Sequence, residues 1–197
     1  MGSRLIVGVE GVVHAGKTTL ATVLADQLGF HLVPEYSSFA RSRGGFPDFP
    51  STLTHARQSL LFFLNLEKLR FATIPGAAMG VVLDRSVISL LAFSYALEAT
   101  AGIRCFEDSW QRISDVPEWL PDCCIEIRIP DLTQGRRHSG DPYSYESHLL
   151  DPEFNARLRE FYSRLSQYLP RVRVLWVDGE RSLDAILDQV VRFLITS

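Results

Sequence analysis

Residues 11–18 read Gly-Val-Val-His-Ala-Gly-Lys-Thr, which is the pattern G-x-x-x-x-G-K-T of a phosphate-binding loop. The two glycines allow a tight turn in which backbone N–H groups point into one concavity. Lys17 brings a positive charge to the β- and γ-phosphates, and the Thr18 hydroxyl is a ligand for Mg²⁺. The motif therefore predicts a site for a nucleoside triphosphate with its magnesium ion.

The segments on either side of this loop have the order that the motif requires. Residues 4–10 form an apolar, β-branched run that predicts a buried strand, and residues 17–28 carry apolar side chains at helical spacing. The N-terminus of that helix adds a positive dipole end to the phosphate site. His14 is interpreted as a variable position of the loop rather than as a catalytic histidine. The predicted nucleotide contacts are Gly11, His14, Ala15, Gly16, Lys17, Thr18 and Thr19.

Length and composition restrict the class of protein. The 197 residues correspond to one domain, and 46% hydrophobic with 22% charged residues is ordinary for a soluble globular protein. The net charge of −3 argues against broad nucleic-acid binding. No run approaches the roughly 18 apolar residues of a membrane span. The start of the chain lacks the pattern of a signal peptide, and the cysteines lack metal-ligand spacing, so we expect a cytoplasmic protein.

The apolar runs alternate with helical patterns along the chain. This alternation predicts an α/β fold with a parallel sheet covered on both faces. The predicted strands are 4–10, 30–33, 80–84, 123–129 and 172–177. The predicted helices are 17–28, 54–72, 86–99, 107–115, 153–168 and 182–195. Because ligands of such sheets bind outside the carboxyl ends of the strands, the residues that follow each strand are the candidates for chemistry.

Asp84-Arg85-Ser86 follows the third predicted strand. Asp84 at this position suits the water shell of Mg²⁺ or the proton of an attacking hydroxyl, and Arg85 suits the acceptor. The alternative interpretation is an Asp or Ser that caps the next helix, with Arg85 on a solvated face. The phosphate loop upstream favours the functional interpretation.

Two further polar side chains are candidates for the acceptor side. Glu35 follows the second predicted strand and is a candidate general base for a hydroxyl acceptor, although an exposed turn residue has the same signature. Gln58 lies on the long apolar helix 54–72, where a nucleobase edge or water are alternative partners for its amide.

Two segments are predicted as functional loops. Residues 41–53 are rich in Gly and Pro, and residues 133–148 hold Arg136 and Arg137 between glycines. An Arg that a closing lid brings to the transferred phosphoryl group stabilises its charge and helps to exclude water. We therefore predict that 133–148 is an Arg-bearing lid, against the alternative of a solvated basic loop.

These motifs together resemble a known superfamily. Residues 10–19 resemble the phosphate loop of thymidylate kinases, E-G-x-x-G-x-G-K-[ST]-[ST], and residues 84–93 resemble their D-R-[YFHS]-x-x-S-x-x-A-[YF] stretch. Residues 136–146 resemble their Arg-rich lid, and residues 177–186 resemble their C-terminal strand and helix. The resemblance covers essentially the whole chain and extends to the deoxynucleoside kinases. It implies a P-loop kinase fold with strand order 2-3-1-4-5, ATP and Mg²⁺ as cofactors, and a homodimer formed through the long helices.

The acceptor side departs from the thymidylate kinase pattern. The Arg of their F-x-x-[DN]-R motif, which holds the acceptor phosphate, is replaced by Leu66, and Arg41, Arg43 or Arg57 are the available substitutes. Residues 33–36, Val-Pro-Glu-Tyr, are similar to the V-P-E-P of deoxynucleoside kinases. In that family the Glu is the base for a 5′-hydroxyl, the Arg after the third strand helps to hold it, and a Gln on the long helix reads the base.

We predict a transferase that moves the γ-phosphoryl group of Mg·ATP to a nucleoside or nucleoside monophosphate. The predicted catalytic residues are Lys17, Glu35, Asp84, Arg85, Arg136 and Arg137. The predicted acceptor ligands are Glu35, Arg41, Gln58 and Arg85, and the predicted metal ligands are Thr18 and Asp84. Two alternatives stay open, namely a kinase for a modified nucleoside or another natural product, and a P-loop NTPase or regulatory nucleotide-binding protein without an acceptor.

Overall fold

The computed structural model describes residues 4–138 and 147–196. In these ranges the chain forms a five-stranded parallel sheet in the order β2-β3-β1-β4-β5. The strands are β1 (Leu5–Gly11), β2 (His31–Val33), β3 (Gly80–Asp84), β4 (Cys123–Arg128) and β5 (Arg173–Asp178). The predicted α/β class and the predicted strand order are therefore confirmed.

Helices cover both faces of this sheet. They are α1 (Lys17–Leu28), α2 (Ser37–Ala40), α3 (Leu53–Ala72), α4 (Val87–Ala101), α5 (Phe106–Ser114), α6 (Asp131–His138), α7 (Pro152–Ser163), α8 (Leu165–Tyr168) and α9 (Leu183–Ile195). Short 3-10 turns add Arg41–Arg43, Pro117–Trp119 and Ser147–Leu150. Side chains at the start of two helices set their boundaries, because Thr52 accepts a hydrogen bond from the backbone of α3 and Ser86 accepts one from the backbone of α4.

The two faces of β1 lie against different helices. Val7 and Val9 point to the face that α1 and α9 cover, where they pack with Leu24 and Val190 in a buried apolar cluster. Glu10 alternates to the opposite face, which α4 and α7 cover. The period of two along β1 thus places one carboxylate in the interior and directs it away from the apolar cluster.

The structure corrects three of the predicted segments. Residues 131–138 form α6 rather than a loop, because Asp131 in its first turn and basic residues in its last turn complement the helix dipole. The predicted loop 41–53 begins with the 3-10 turn Arg41–Arg43 and ends where α3 starts. The predicted helix 153–168 is interrupted at Arg164 after the Ser163 hydroxyl bonds the carbonyl of Glu160.

The central part of the predicted lid, residues 139–146, lies outside the described residues, so the lid stays a prediction. Within the described ranges, each helix is too short or too polar to cross a bilayer.

Candidate active site

The phosphate loop joins β1 to α1 and has the conformation that its sequence demands. Gly11 and Gly16 adopt φ values of 137° and 99°, and His14 between them adopts 63°. A Cβ atom on Gly11 would lie 2.6 Å from the carbonyl oxygen of Ile127, so only glycine fits there. Gly16 at the start of α1 provides no side-chain cap, and the N-terminus of such a helix favours an anion.

Lys17 is buried at the start of α1, and its Nζ donates a 2.6 Å hydrogen bond to the carbonyl of Val12. Burial, and next the charge of Arg85, lower the pKa of Lys17 to about 7, against the opposing effect of the carboxylates of Glu35 and Asp84. The ammonium group is therefore poorly compensated in the free protein. An anion at the loop would supply the missing partner.

Glu35 and Arg85 meet across the carboxyl ends of β2 and β3. Arg85 Nε donates to Glu35 Oε1 at 2.7 Å, and Ser37 donates to the second oxygen of Glu35 at 3.3 Å. Burial alone raises the pKa of Glu35, but Arg85, Lys17 and the two hydrogen bonds together hold it below its ordinary value. Glu35 is therefore ionised at neutral pH. Arg85 is therefore not on a solvated face, although Ser86 caps α4 as the alternative interpretation expected.

Asp84 ends β3 beside the phosphate loop. Burial raises the pKa of its carboxyl group, and a hydrogen bond with Thr18 partly opposes that rise. The second oxygen, Oδ1, is buried and has no hydrogen-bond partner among the residues that the structure describes. An unpartnered carboxylate oxygen next to a hydroxyl group is a donor set that suits Mg²⁺ or its water shell. In the described part of the chain, no three His, Cys, Asp or Glu side chains form a ready-made metal site.

Helix α6 contacts the phosphate loop through Arg137. Its guanidinium donates to the carbonyls of His14 and Ala15 at 3.2 and 3.0 Å, and to the carbonyl of Gly179 at 2.8 Å. His138 Nδ1 lies 3.2 Å from His14 Nε2. Arg137 thus contacts the phosphate loop from a helix, and Arg136 is exposed on the same helix, while the predicted role of both in the transfer stays a prediction.

A cleft of about 310 Å³ opens beside the loop. Its walls come from the loop, from α6, and from the segment between β5 and α9, where Gly179 and Arg181 lie. Neither residue was among the sequence candidates. Gly179 has a recognisable reason to be glycine, because a Cβ atom there would lie 2.6 Å from the Ile129 side chain.

Comparison with solved structures identifies the fold. Deoxyadenosine kinase from M. mycoides, with dCMP and dCDP bound, superposes with a TM-score of 0.70 at 15% identity, covering 98% of this chain and 99% of that one. The thymidylate kinase of Ehrlichia chaffeensis gives 0.65 at 18% identity, with coverage of 98% and 100%. That of Candida albicans gives 0.69 at 14% identity, with coverage of 98% and 92%. The chain has the P-loop kinase fold of the deoxynucleoside and thymidylate kinases.

The amino-acid sequence of this P-loop kinase fold has limited similarity to known sequences. No protein-family model matches the chain. The chain is 28% identical over 195 residues to the mouse protein NADH dehydrogenase (ubiquinone) 1 alpha subcomplex subunit 10, mitochondrial. The match covers 82% of the chain and 54% of the subunit, so the chain spans about half the length of that relative.

Three remaining acceptor-side positions in this kinase fold do not converge on the Glu35–Arg85 pair. Leu66 is fully buried in the apolar core of α3. Gln58 and Arg41 are exposed, Gln58 on α3 and Arg41 on the 3-10 turn after α2. The roles of Gln58 and Arg41 as acceptor ligands stay predictions.

Sequence reasoning missed a buried carboxylate and a buried ion pair of this kinase fold. Glu10 accepts hydrogen bonds from the Ser86 backbone and hydroxyl at 2.8 and 2.7 Å, from the Ser89 hydroxyl, and from the Tyr162 hydroxyl at 3.2 Å. Arg70 pairs with Glu67 one turn earlier on α3, at 2.5 Å. The available signal was a pair of opposite charges three residues apart on the buried side of an apolar helix.

Proposed function

We propose that the protein is an ATP- and magnesium-dependent kinase that phosphorylates the hydroxyl group of a nucleoside. The observation that carries this proposal is the ionised Glu35 carboxylate, held 2.7 Å from Arg85 at the sheet edge where the phosphate loop also lies. A carboxylate of this kind is the group that a hydroxyl acceptor requires and that a phosphate acceptor does not.

The donor side supplies charge neutralisation. The N–H groups of the loop and the Lys17 ammonium bind the β- and γ-phosphates, and Arg137 lies at the same loop. Thr18 and Asp84 would hold Mg²⁺, which when bound neutralises charge on the phosphate oxygens. The cleft between the loop and Arg181 is the proposed place for the base of the donor nucleotide.

The acceptor side supplies the base and the orientation. Glu35 takes the proton from the acceptor hydroxyl while that oxygen forms a bond to the γ-phosphorus and the bond to the β,γ-bridging oxygen breaks. Arg85 holds Glu35 and is close enough to contact the acceptor oxygen. Because the pKa of Glu35 is lowered, the base is in its active form throughout the neutral range.

A monophosphate acceptor is the less suitable alternative. Its second negative charge needs additional cations, and the position at which thymidylate kinases carry an Arg is the fully buried Leu66. Arg41 and Arg43 are exposed on a short 3-10 turn and would have to be recruited by the ligand. Lys17 and Arg85, whose charges act on Glu35, are already assigned to other groups in this proposal.

The test is ADP release with a panel of nucleosides and the matching monophosphates. We expect turnover with at least one nucleoside, and a loss of about 10²- to 10⁴-fold in Glu35→Gln, which keeps the shape of the side chain but removes the base. Glu118→Gln, which changes an exposed Glu of a 3-10 turn, is the matched control and keeps wild-type turnover. Turnover with monophosphates alone, unaffected by Glu35→Gln, would refute a hydroxyl acceptor.

A second candidate function is a nucleotide-binding subunit that performs no phosphoryl transfer. The observation that favours it is the 28% identity to a relative whose name describes a subunit of NADH dehydrogenase. This candidate predicts a rise in melting temperature with ATP but no ADP release with any acceptor of the panel. A kinase of the proposed type gives both signals.

The homodimer and the cytoplasmic location stay proposals. The outer side of α3 exposes Leu61 and Leu69, which are two helical turns apart and suit a contact between two copies. Analytical ultracentrifugation measures the mass in solution, and a monomer at micromolar concentration would reject the dimer.

A further inference from the structure

Arg70 is fully buried near the end of α3, and its guanidinium donates hydrogen bonds to four oxygen atoms. One is the carboxylate of Glu67 at 2.5 Å. The other three are main-chain carbonyls, those of Pro34 at 2.9 Å, Asp84 at 2.9 Å and Arg85 at 2.7 Å. Three of the four hydrogen bonds of this side chain therefore go to the backbone just after β2 and at the end of β3.

These carbonyls flank the residues to which the proposed function assigns chemistry. Pro34 directly precedes Glu35, and Tyr36, which directly follows it, places its ring 4.2 Å from the Arg70 guanidinium carbon. On the other segment Arg70 binds the carbonyls of Asp84 and Arg85 themselves. One rigid planar group thus fixes the backbone on both sides of the ion pair.

The Arg85 backbone needs such support. Its φ of 65° is in the left-handed region, where a residue with a Cβ atom is strained by about 1–2 kcal/mol. Without this support the torsion would relax, and the Arg85 guanidinium would move away from Glu35. The hydrogen bond from Arg70 to the Arg85 carbonyl lies at the peptide group that follows the strained torsion.

We infer that Arg70 is a positioning residue of the acceptor site, which holds the backbone of residues 34–36 and 84–85 in the geometry that joins Glu35 to Arg85. This inference rests on the proposed function. Glu67 supplies the negative charge that lets a cation remain buried at this place. A guanidinium is required because a lysine ammonium lacks the planar arrangement of donors that reaches both segments at once.

Arg4 provides a matched control for an arginine that clamps backbone. Its guanidinium also binds three carbonyls, those of Pro75, Gly76 and Ala78, at 3.0–3.1 Å. These contacts lie before β1 and β3, at the sheet edge opposite the proposed site. Arg4→Lys therefore removes a comparable clamp far from the ion pair.

The test compares Arg70→Lys with Arg4→Lys and wild type. We expect Arg70→Lys to lower kcat about 100-fold, because small displacements of a catalytic pair have effects of this size, and to keep KM for ATP within threefold. Arg4→Lys keeps kcat within twofold, whatever its melting temperature. Equal kcat in Arg70→Lys and wild type, at a temperature where both are folded, would overturn the inference.

A crystal structure of Arg70→Lys separates this inference from the proposed function. We expect the Glu35–Arg85 contact to be broken and the Arg85 torsion to relax, and an unchanged ion pair would overturn the positioning role. If wild type phosphorylates no acceptor, the proposed function fails while this structural comparison still decides the role of Arg70. Should Arg70→Lys fail to fold, the neutral pair Arg70→Gln with Glu67→Gln replaces it, with the same expectations.

Discussion

The phosphate loop and the Glu35–Arg85 pair lie at the same edge of the sheet, yet different interactions hold them in place. The loop is one continuous segment whose shape comes from its own backbone, with left-handed torsions at Gly11, His14 and Gly16. The ion pair joins residues 50 positions apart in the chain and is held by side chains, above all by Arg70. We call the phosphate loop the proposed donor half of the site and the Glu35–Arg85 pair with Arg70 the proposed acceptor half. The shape of the donor half therefore depends on the positions of its glycines, and that of the acceptor half depends on which charged side chains are present.

This difference has a consequence for substitution. In the loop, the turn requires glycine at Gly11 and Gly16, and any residue at position 14 must accept a left-handed φ of 63°. In the acceptor half, the side chains bind across different segments of the chain. Arg85 binds Glu35, and Arg70 binds the carbonyls of Pro34 and Arg85. A change of acceptor between related proteins is therefore expected to involve several of these side chains at once.

The largest predicted effect belongs to the donor half. Lys17→Ala should lower phosphoryl transfer about 10³-fold or more, because it removes the charge that neutralises the β- and γ-phosphates. The fold should be retained, since the buried ammonium, whose pKa burial lowers to about 7, is costly to hold in the charged form. ADP release and circular dichroism measure the two outcomes. Near-full activity of this variant would refute the role of the loop in binding the transferred phosphate.

The next prediction concerns Asp84, which joins the two halves. Its side chain bonds Thr18 of the donor half, and its carbonyl accepts from Arg70 of the acceptor half. Asp84→Asn keeps the size and the backbone but removes the charge, so we expect a loss of about 100-fold in turnover together with a higher Mg²⁺ concentration for half-maximal rate. A loss that no Mg²⁺ concentration changes would place Asp84 with the acceptor instead.

The smallest predicted effect is a pH dependence confined to the donor half. The pKa of Lys17 is about 7 in the free protein, and a bound polyphosphate raises it because the phosphate charge favours the ammonium form. Binding of ADP without Mg²⁺ therefore takes up a proton above pH 7, and the affinity falls by up to about tenfold per pH unit from there. Calorimetry of wild type and Lys17→Ala measures the slope, which the variant should lack. A pH-independent affinity in wild type would contradict the shifted pKa.

Most of the fold was predictable because its signals are local. The strands alternate with helices whose bounds the apolar spacing and the caps predict to within one or two residues, as for α1 and for α3 with its Thr52 cap. The strand order 2-3-1-4-5 came from the resemblance and is confirmed. Helix α6 was missed because Gly135 and two arginines in sequence are also typical of a loop, and a single internal glycine costs a helix only about 1 kcal/mol.

The candidate site divides in the same way. The loop, Glu35, Asp84 and Arg85 were found because they directly follow strands or fit a fixed spacing. The role of Arg70 was not found because its three main-chain partners lie 14 to 36 residues away, and no pattern along the chain reports that they meet. The catalytic and binding roles of all these residues stay predictions until the variants are measured.

The buried carboxylate of Glu10 sets a condition on how such a chain can diverge. Glu10 belongs to the strand that leads into the phosphate loop, while its hydrogen-bond donors Ser86 and Ser89 belong to the helix that begins behind Arg85. A chimera that combined the first 80 residues of one relative with the remainder of another would leave this buried carboxylate without its two hydroxyl donors from α4 whenever the serines were not inherited with it. The strand that leads into the phosphate loop and the helix that begins after Arg85 can therefore be exchanged between relatives only as a matched pair.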